Sequence, residues 1–144
     1  VFTMPRNELT AAHGLTMANE DYLESVYRIS LKTPEGEGVR SVDVAEQLKV
    51  SKASVNKAMT ALKEVGMVEQ DRYGRVRLTD KGRELGSEVW RCHRMLRAFL
   101  EVDLGVDAET ADKEACLMEH ALSRETMRRW ADYLERQGLS IEED

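Results

Sequence analysis

The order of sequence patterns between residues 41 and 78 constrains the fold more than any other feature of the chain. The segment 41–48 carries apolar residues at helical spacing, and a two-residue turn follows it. Ser51 is the predicted N-cap of a further helix to about Val65, where Gly66 provides a stop. The next residues read as two short strands around residues 71–74. Two helices joined by a tight turn and followed by a hairpin predict a winged helix-turn-helix.

Apolar periodicity predicts further helices on both sides of this segment. They cover residues 20–31, about 79–102, 107–122 and 123–137, and the predicted caps are Asn19, Ser41, Thr79 and Ser123. We therefore expect a mostly α protein: an N-terminal winged helix-turn-helix with a two-stranded wing, then an all-helical domain. The predicted domains are a flexible arm over 1–15, a DNA-binding domain over 16–83, and a helical metal-binding and dimerisation domain over 84–144.

The distribution of charge supports contact with nucleic acid. The whole chain has a net charge of −6, but residues 40–83 hold 10 Lys/Arg against 6 Asp/Glu, so this segment is +4 and the remainder −10. A recognition helix needs small polar side chains near its N-terminus and cations beside the phosphates. The predicted DNA-binding residues are Ser51, Lys52, Ala53, Ser54, Asn56 and Lys57 on the helix, and Arg72, Tyr73, Arg75 and Arg77 on the wing. The alternative is an ordinary helical hairpin with a solvated charged face.

A second group of residues has the spacing of metal ligands. Cys116, Glu119 and His120 fall at positions i, i+3 and i+4, so a thiolate, a carboxylate and an imidazole share one helical face. Asp21 and Glu24 share a face of the first helix, and their alternative role is to interact with its dipole. His93 lies on the apolar face of the long helix.

His93 is either a ligand or a core histidine. Likewise, Cys116 is either a ligand or a core residue, and Glu119 and His120 could form a solvated face. Together the six residues would hold one or two divalent ions per subunit. Periodicity alone leaves open whether the three segments converge.

Several separated motifs resemble the family of the diphtheria toxin repressor and the manganese transport regulator. These motifs are residues 19–24, 78–82, 91–93 and 114–120, and the resemblance extends from about Met17 to Gly138. The resemblance implies a homodimer that binds a palindromic DNA operator and represses metal-uptake genes when Mn²⁺ or Fe²⁺ is abundant. It also implies that Asp21, Glu24, His93, Cys116, Glu119 and His120 form the metal site.

The chain departs from both branches of this family. Asp21 follows the manganese branch, whereas Cys116 follows the iron branch, so the two residues favour different metals. Arg97 and Asp112 stand where the iron branch has a glutamate and a histidine of an ancillary metal site. The chain resembles the short form without an SH3-like domain.

Other classes of protein fit the sequence less well. No apolar stretch reaches membrane-spanning length, and no signal peptide is evident, so we expect a cytoplasmic protein whose two cysteines stay reduced. A His-Glu-x-x-His motif, a nucleophile elbow and a phosphate-binding glycine loop are missing, which argues against an enzyme. The main alternative is a winged-helix regulator that responds to a small organic ligand or a protein partner; a small metalloenzyme is a further one.

Overall fold

The computed structural model describes residues 15–139. The chain divides into two compact units between Ser87 and Glu88. We call them the N-terminal unit and the C-terminal unit and describe each by itself. The predicted domain ranges 16–83 and 84–144 stay a prediction, and the predicted arm lies outside the described residues except for Leu15.

The N-terminal unit has the predicted order of three helices and a hairpin. Its elements are α1 (Met17–Ser30), α2 (Ser41–Leu48), α3 (Lys52–Glu64), β1 (Val68–Gln70) and β2 (Val76–Leu78). The strands are antiparallel, with Val68 opposite Leu78 and Gln70 opposite Val76. Helix, turn, helix and wing are thus confirmed.

Two predicted helix starts are wrong. The N-cap of α1 is Thr16, whose Oγ1 accepts a hydrogen bond from the backbone N–H of Asn19 at 3.1 Å. The helix therefore begins almost one turn before the prediction, which allows Met17 to be buried. The N-cap of α2 is Arg40, whose backbone carbonyl accepts the N–H of Asp43 at 3.0 Å, and no side chain caps this helix. The predicted cap, Ser41, is its first residue, and the guanidinium of Arg40 binds both carboxylate oxygens of Asp43 at 3.0 Å.

The boundaries of α3 follow the prediction. Ser51 Oγ accepts the backbone N–H of Ser54 at 3.1 Å and caps the helix. At the other end Gly66 has φ +76°, a backbone conformation that glycine adopts without steric strain, and the backbone N–H of Met67 reaches the carbonyl of Leu62 at 2.9 Å. The turn into α3 also uses this conformation, since Lys49 has φ +56°.

The wing is held by its own turn and by the loop before α2. Asp71 Oδ1 accepts the backbone N–H groups of Tyr73 and Arg75, each at 2.9 Å. Val39 and Val76 exchange backbone hydrogen bonds of 2.7 and 2.9 Å, so residue 39 forms an isolated bridge to β2 that the sequence did not predict. The core of this unit is apolar and includes Leu23, Val26, Val44, Val55, Met59, Leu62, Met67, Val76 and Leu85.

The C-terminal unit is helical throughout its described part. The long helix α4 (Asp80–Ala98), in which the division between the units falls, ends in a π-helical turn (Phe99–Asp103) and is followed by α5 (Ala108–Ala121) and α6 (Arg124–Arg136). The predicted caps Thr79 and Ser123 are confirmed by hydrogen bonds from backbone N–H groups three residues ahead. Asp107, predicted as the first residue of its helix, is instead the N-cap of α5 and accepts the backbone N–H of Thr110 at 3.0 Å. The core comprises Cys92, Met95, Leu96, Leu100, Ala111, Ala115, Met127, Ala131 and Leu134.

Over residues 15–139, none of the helices combines the length and the apolar character that crossing a membrane requires.

Candidate metal centre and nucleic-acid interface

Four of the predicted metal ligands meet within the C-terminal unit. Helix α4 supplies His93, and the last two turns of α5 supply Cys116, Glu119 and His120. One donor atom from each of the three α5 residues lies within 4.8 Å of the others, and Glu119 is equally close to His93. As their i, i+3, i+4 spacing predicted, the three donors of α5 lie on one face of the helix.

Glu119 lies between the two imidazoles. Its side chain has no solvent exposure, its Oε1 lies 3.1 Å from Nε2 of His120, and its Oε2 lies 3.6 Å from Nδ1 of His93. Both histidines are buried, at 4% and 8% exposure. A carboxylate without solvent is stabilised by a proton donor or a cation, and a buried carboxylate flanked by two imidazoles is a donor set that can bind a divalent ion.

The Nδ1 atom of His93 provides a test of whether a metal ion fits. It is buried and makes no hydrogen bond to any described residue. The other ring nitrogen, Nε2, lies 2.8 Å from Oδ1 of Asp112. A histidine that binds a metal uses one ring nitrogen for the ion, while the other donates a hydrogen bond to a carboxylate or carbonyl. The two nitrogens of His93 are arranged in this way. The residues present therefore fit a divalent ion held by nitrogen, oxygen and sulfur donors.

The two remaining predicted ligands lie on α1, in the N-terminal unit. Because α1 begins at Met17, Asp21 is its fifth residue and Glu24 its eighth, and the acidic residue of the first turn is Glu20. The alternative role, in which Asp21 and Glu24 interact with the helix dipole, is therefore wrong for this helix, since that effect falls off within the first turn. Glu24 is buried at 7% exposure and Asp21 is half-buried.

Two neighbours of the centre have other roles. Cys92 belongs to the apolar core, and its burial raises the pKa of the thiol to about 11, so it stays protonated and is a poor metal ligand. Arg124, a buried residue that the sequence did not single out, donates from Nη2 to the backbone carbonyl of Glu119 at 2.6 Å. This bond fixes the end of α5, where the last carbonyls lack helical partners.

The predicted recognition residues lie on the first two turns of α3. Lys52, Ala53, Ser54, Asn56 and Lys57 are exposed, whereas Val55 between them is fully buried and anchors the helix. Ser51 is exposed too, but its hydroxyl both caps the helix and donates to Ser54 Oγ at 3.0 Å. An exposed N-terminal face that carries small polar and cationic side chains matches the requirements of major-groove contact.

The wing cations differ in how far the fold already engages them. Arg75 donates to the carbonyl of Gly38 at 3.3 Å and Arg77 to that of Gly36 at 2.8 Å, so both guanidinium groups tie the wing to the loop. Arg72 lies 5.0 Å from the ring centre of Tyr73, whose side chain is 77% exposed. The pKa of Asp71 is lowered: partial burial opposes the shift, but hydrogen bonds from the Arg75 and Tyr73 N–H groups and the charge of Arg77 outweigh it.

Family comparison accounts for both units. Residues 14–76 match the family described as the N-terminal DNA-binding domain of iron-dependent repressors, and residues 79–137 match the metal-binding and dimerisation domain of the same repressors. The chain belongs to the iron-dependent repressor family. The predicted fold class is confirmed, and so is the predicted class of protein, a metal-dependent DNA-binding transcription regulator.

Individual relatives agree with this membership. An uncharacterised helix-turn-helix transcriptional regulator of Methanocaldococcus jannaschii is 30% identical over 85% of this chain and 96% of the relative. The transcriptional regulator MntR of Salmonella typhimurium is 32% identical over 85% of this chain and 76% of its own length. A solved manganese-dependent transcriptional repressor in complex with manganese superposes with a TM-score of 0.66 at 31% identity over 81% of this chain. The chain spans about half the length of that solved repressor, 52%.

Proposed function

We propose that this protein represses transcription by binding a palindromic operator as a homodimer when it is loaded with Mn²⁺ or Fe²⁺. The observation that carries the proposal is the unexposed carboxylate of Glu119 between two buried imidazoles. A divalent ion would compensate this charge and bind the nitrogen lone pairs at the same time. A solved relative with a similar fold, the manganese-dependent repressor, is in complex with manganese.

We propose that Asp21 and Glu24 of α1 complete the ligand set formed by His93, Cys116, Glu119 and His120. The set would bind one or two ions. Its carboxylates suit Mn²⁺, whereas the Cys116 thiolate suits Fe²⁺ and softer ions, so competition between ions decides the cognate metal. An ion bound by side chains of both α1 and α5 would link metal binding to the unit that carries the predicted DNA-binding residues, and a metal-dependent change in DNA affinity would follow.

At the DNA, we propose that α3 enters the major groove. Ser54 and Asn56 would read base edges, Ala53 would allow close approach, and Lys52 and Lys57 would neutralise phosphates. The Ser51 hydroxyl, which caps the helix, would also contact the sugar-phosphate backbone of the DNA. Among the wing residues, Arg72 and Tyr73 are better placed for contact than Arg75, which is already bound to the loop.

The test is metal-dependent DNA binding by protein purified without oxygen. Metal content is measured first, and binding to a selected operator is then titrated with Mn²⁺, with Fe²⁺ and with a chelator. We expect tight binding only with a cognate ion, and loss of this dependence in His120→Ala. Glu109→Gln, which changes an exposed carboxylate of α5, serves as the matched control. Equal binding with ion and with chelator would instead favour a regulator that responds to an organic ligand or a protein partner.

The same proposal places the protein in the cytoplasm and gives it no catalytic activity. Turnover of ester or phosphoester substrates that follows metal content and disappears in Asp21→Ala would contradict this part and support a metalloenzyme.

A further inference from the structure

The surroundings of His93 fix the orientation of its ring. On one edge, Nε2 lies 2.8 Å from Oδ1 of Asp112 on α5. On one face, the ring stacks on Trp90, with ring centres 5.6 Å apart and an interplanar angle of 13°. The side chain of His93 is only 5% exposed, so rotation of the ring would break the hydrogen bond and disturb the stack.

The hydrogen bond to Asp112 also determines which nitrogen carries the proton. An ionised carboxylate can only accept hydrogen bonds, so Nε2 must be the N–H donor. A neutral imidazole has one N–H, which leaves Nδ1 with a lone pair. That lone pair lies on the edge of the ring near Oε2 of Glu119, 3.6 Å away. Arg97 also contacts Asp112, with Nη1 3.6 Å from the same carboxylate oxygen.

We propose that Asp112 is a positioning residue for the metal ion. It holds His93 as the Nε2–H tautomer before the ion arrives and so presents the Nδ1 lone pair to the site, and the contact with Arg97 holds the Asp112 carboxylate in place. This inference rests on the proposed function, because it concerns the same ligand set. It adds a residue that is exposed, lies outside that set and contributes no donor to the ion.

The tautomer is measured by NMR in the metal-free full chain with ¹⁵N-labelled histidine. The chain has only three histidines, so the His93 ring is assigned by comparison with His93→Gln. We expect a protonated Nε2 and an unprotonated Nδ1 in the unmodified protein, and a mixture of tautomers in Asp112→Ala. Asp112→Asn, whose amide oxygen can accept the same hydrogen bond, should keep the Nε2–H form. Glu109→Ala, which removes an exposed carboxylate from the first turn of the same helix, should leave the tautomer unchanged.

Metal affinity is then titrated with Mn²⁺ in the unmodified protein, the two Asp112 variants and Glu109→Ala. Asp112→Ala should bind about 10- to 100-fold more weakly, the usual effect of losing a partner that orients a ligand, while Glu109→Ala should stay within about twofold of the unmodified protein. An unchanged tautomer in Asp112→Ala would overturn the inference, and so would His93 protonated on both nitrogens in the unmodified protein. If the unmodified protein bound neither Mn²⁺ nor Fe²⁺, the proposed function would fail, whereas the tautomer measurement would still report on Asp112.

Discussion

Replacement of Glu119 by Gln separates a metal ligand from a structural ion pair. Glutamine has nearly the same shape, keeps one oxygen and removes the charge from a side chain with no exposure. If Glu119 is a metal ligand, its charge contributes mainly to the metal-loaded state, because the desolvation of a buried carboxylate offsets much of what its contacts contribute in the metal-free fold. We therefore expect metal-free Glu119→Gln to be as stable as the unmodified protein or more stable.

In the metal-loaded state, by contrast, Glu119→Gln should be less stable than the unmodified protein. An ion at 100 times its dissociation constant stabilises the folded state by about 2.7 kcal/mol. For a chain of this size, 1 kcal/mol raises the Tm by about 2–4 °C, so the expected gain is about 5–11 °C. Glu119→Gln should lose this gain, and the exposed variant Glu109→Gln should keep it.

The assay is thermal unfolding, followed by circular dichroism, of each protein with a chelator and with excess Mn²⁺. The structural alternative is a permanent ion pair between Glu119 and protonated His120 or His93. Removing one partner of such a buried pair destabilises a fold by about 3–5 kcal/mol even without metal. A loss of that size in chelator, or a metal-dependent Tm gain that survives in Glu119→Gln, would refute the reasoning.

Three further measurements test the other parts of the proposal. Lys57→Ala should weaken binding to all DNA sequences and lower the slope of log affinity against log salt by about 1, whereas Lys113→Ala, exposed in the C-terminal unit, should leave the slope unchanged; equal effects would exclude a phosphate contact by Lys57. Asn56→Ala should relax preference at one operator position by about 1–3 kcal/mol, seen in competition between single-base variants, and an unaltered preference would argue against base contact. Burial raises the pKa of Cys92 to about 11, so only ~0.1% of this thiol is ionised at pH 8. A thiol reagent should therefore modify Cys116 alone in the native metal-free protein, and bound metal should protect Cys116 from the reagent. Reaction of both cysteines would contradict this expectation.

The sequence predicted most helix ends because their signals lie in adjacent residues. Ser51 and Gly66 bound α3 through hydrogen bonds that span three to five residues, so residue type and position suffice. The start of α1 was missed because Thr16 and Asn19 are both good caps, three residues apart. Local preference does not separate them, and burial of Met17 decides in favour of the earlier cap.

The metal centre was only partly predictable, for a reason of distance along the chain. Cys116, Glu119 and His120 were predictable as a group because helical spacing alone aligns them. His93 is 26 positions before Glu119, and only the packing of α4 and α5 decides which edge of its ring faces the carboxylate. The same holds for Asp112, whose acidic type is common on exposed helix faces and gave no signal of contact with a buried histidine.

Three of the proposed metal ligands are buried as deeply as core residues. Local rules of capping and packing would favour apolar side chains at positions as enclosed as those of His93, Glu119 and His120, which are 4%, 0% and 8% exposed. A fold that retains an unexposed carboxylate between two imidazoles is stabilised less than one with an apolar core there, unless a cation joins them. The chain thus has polar side chains at three positions where apolar ones would make a more stable core. At these positions a bound ion would add most to stability, and these are the side chains that we propose as its ligands.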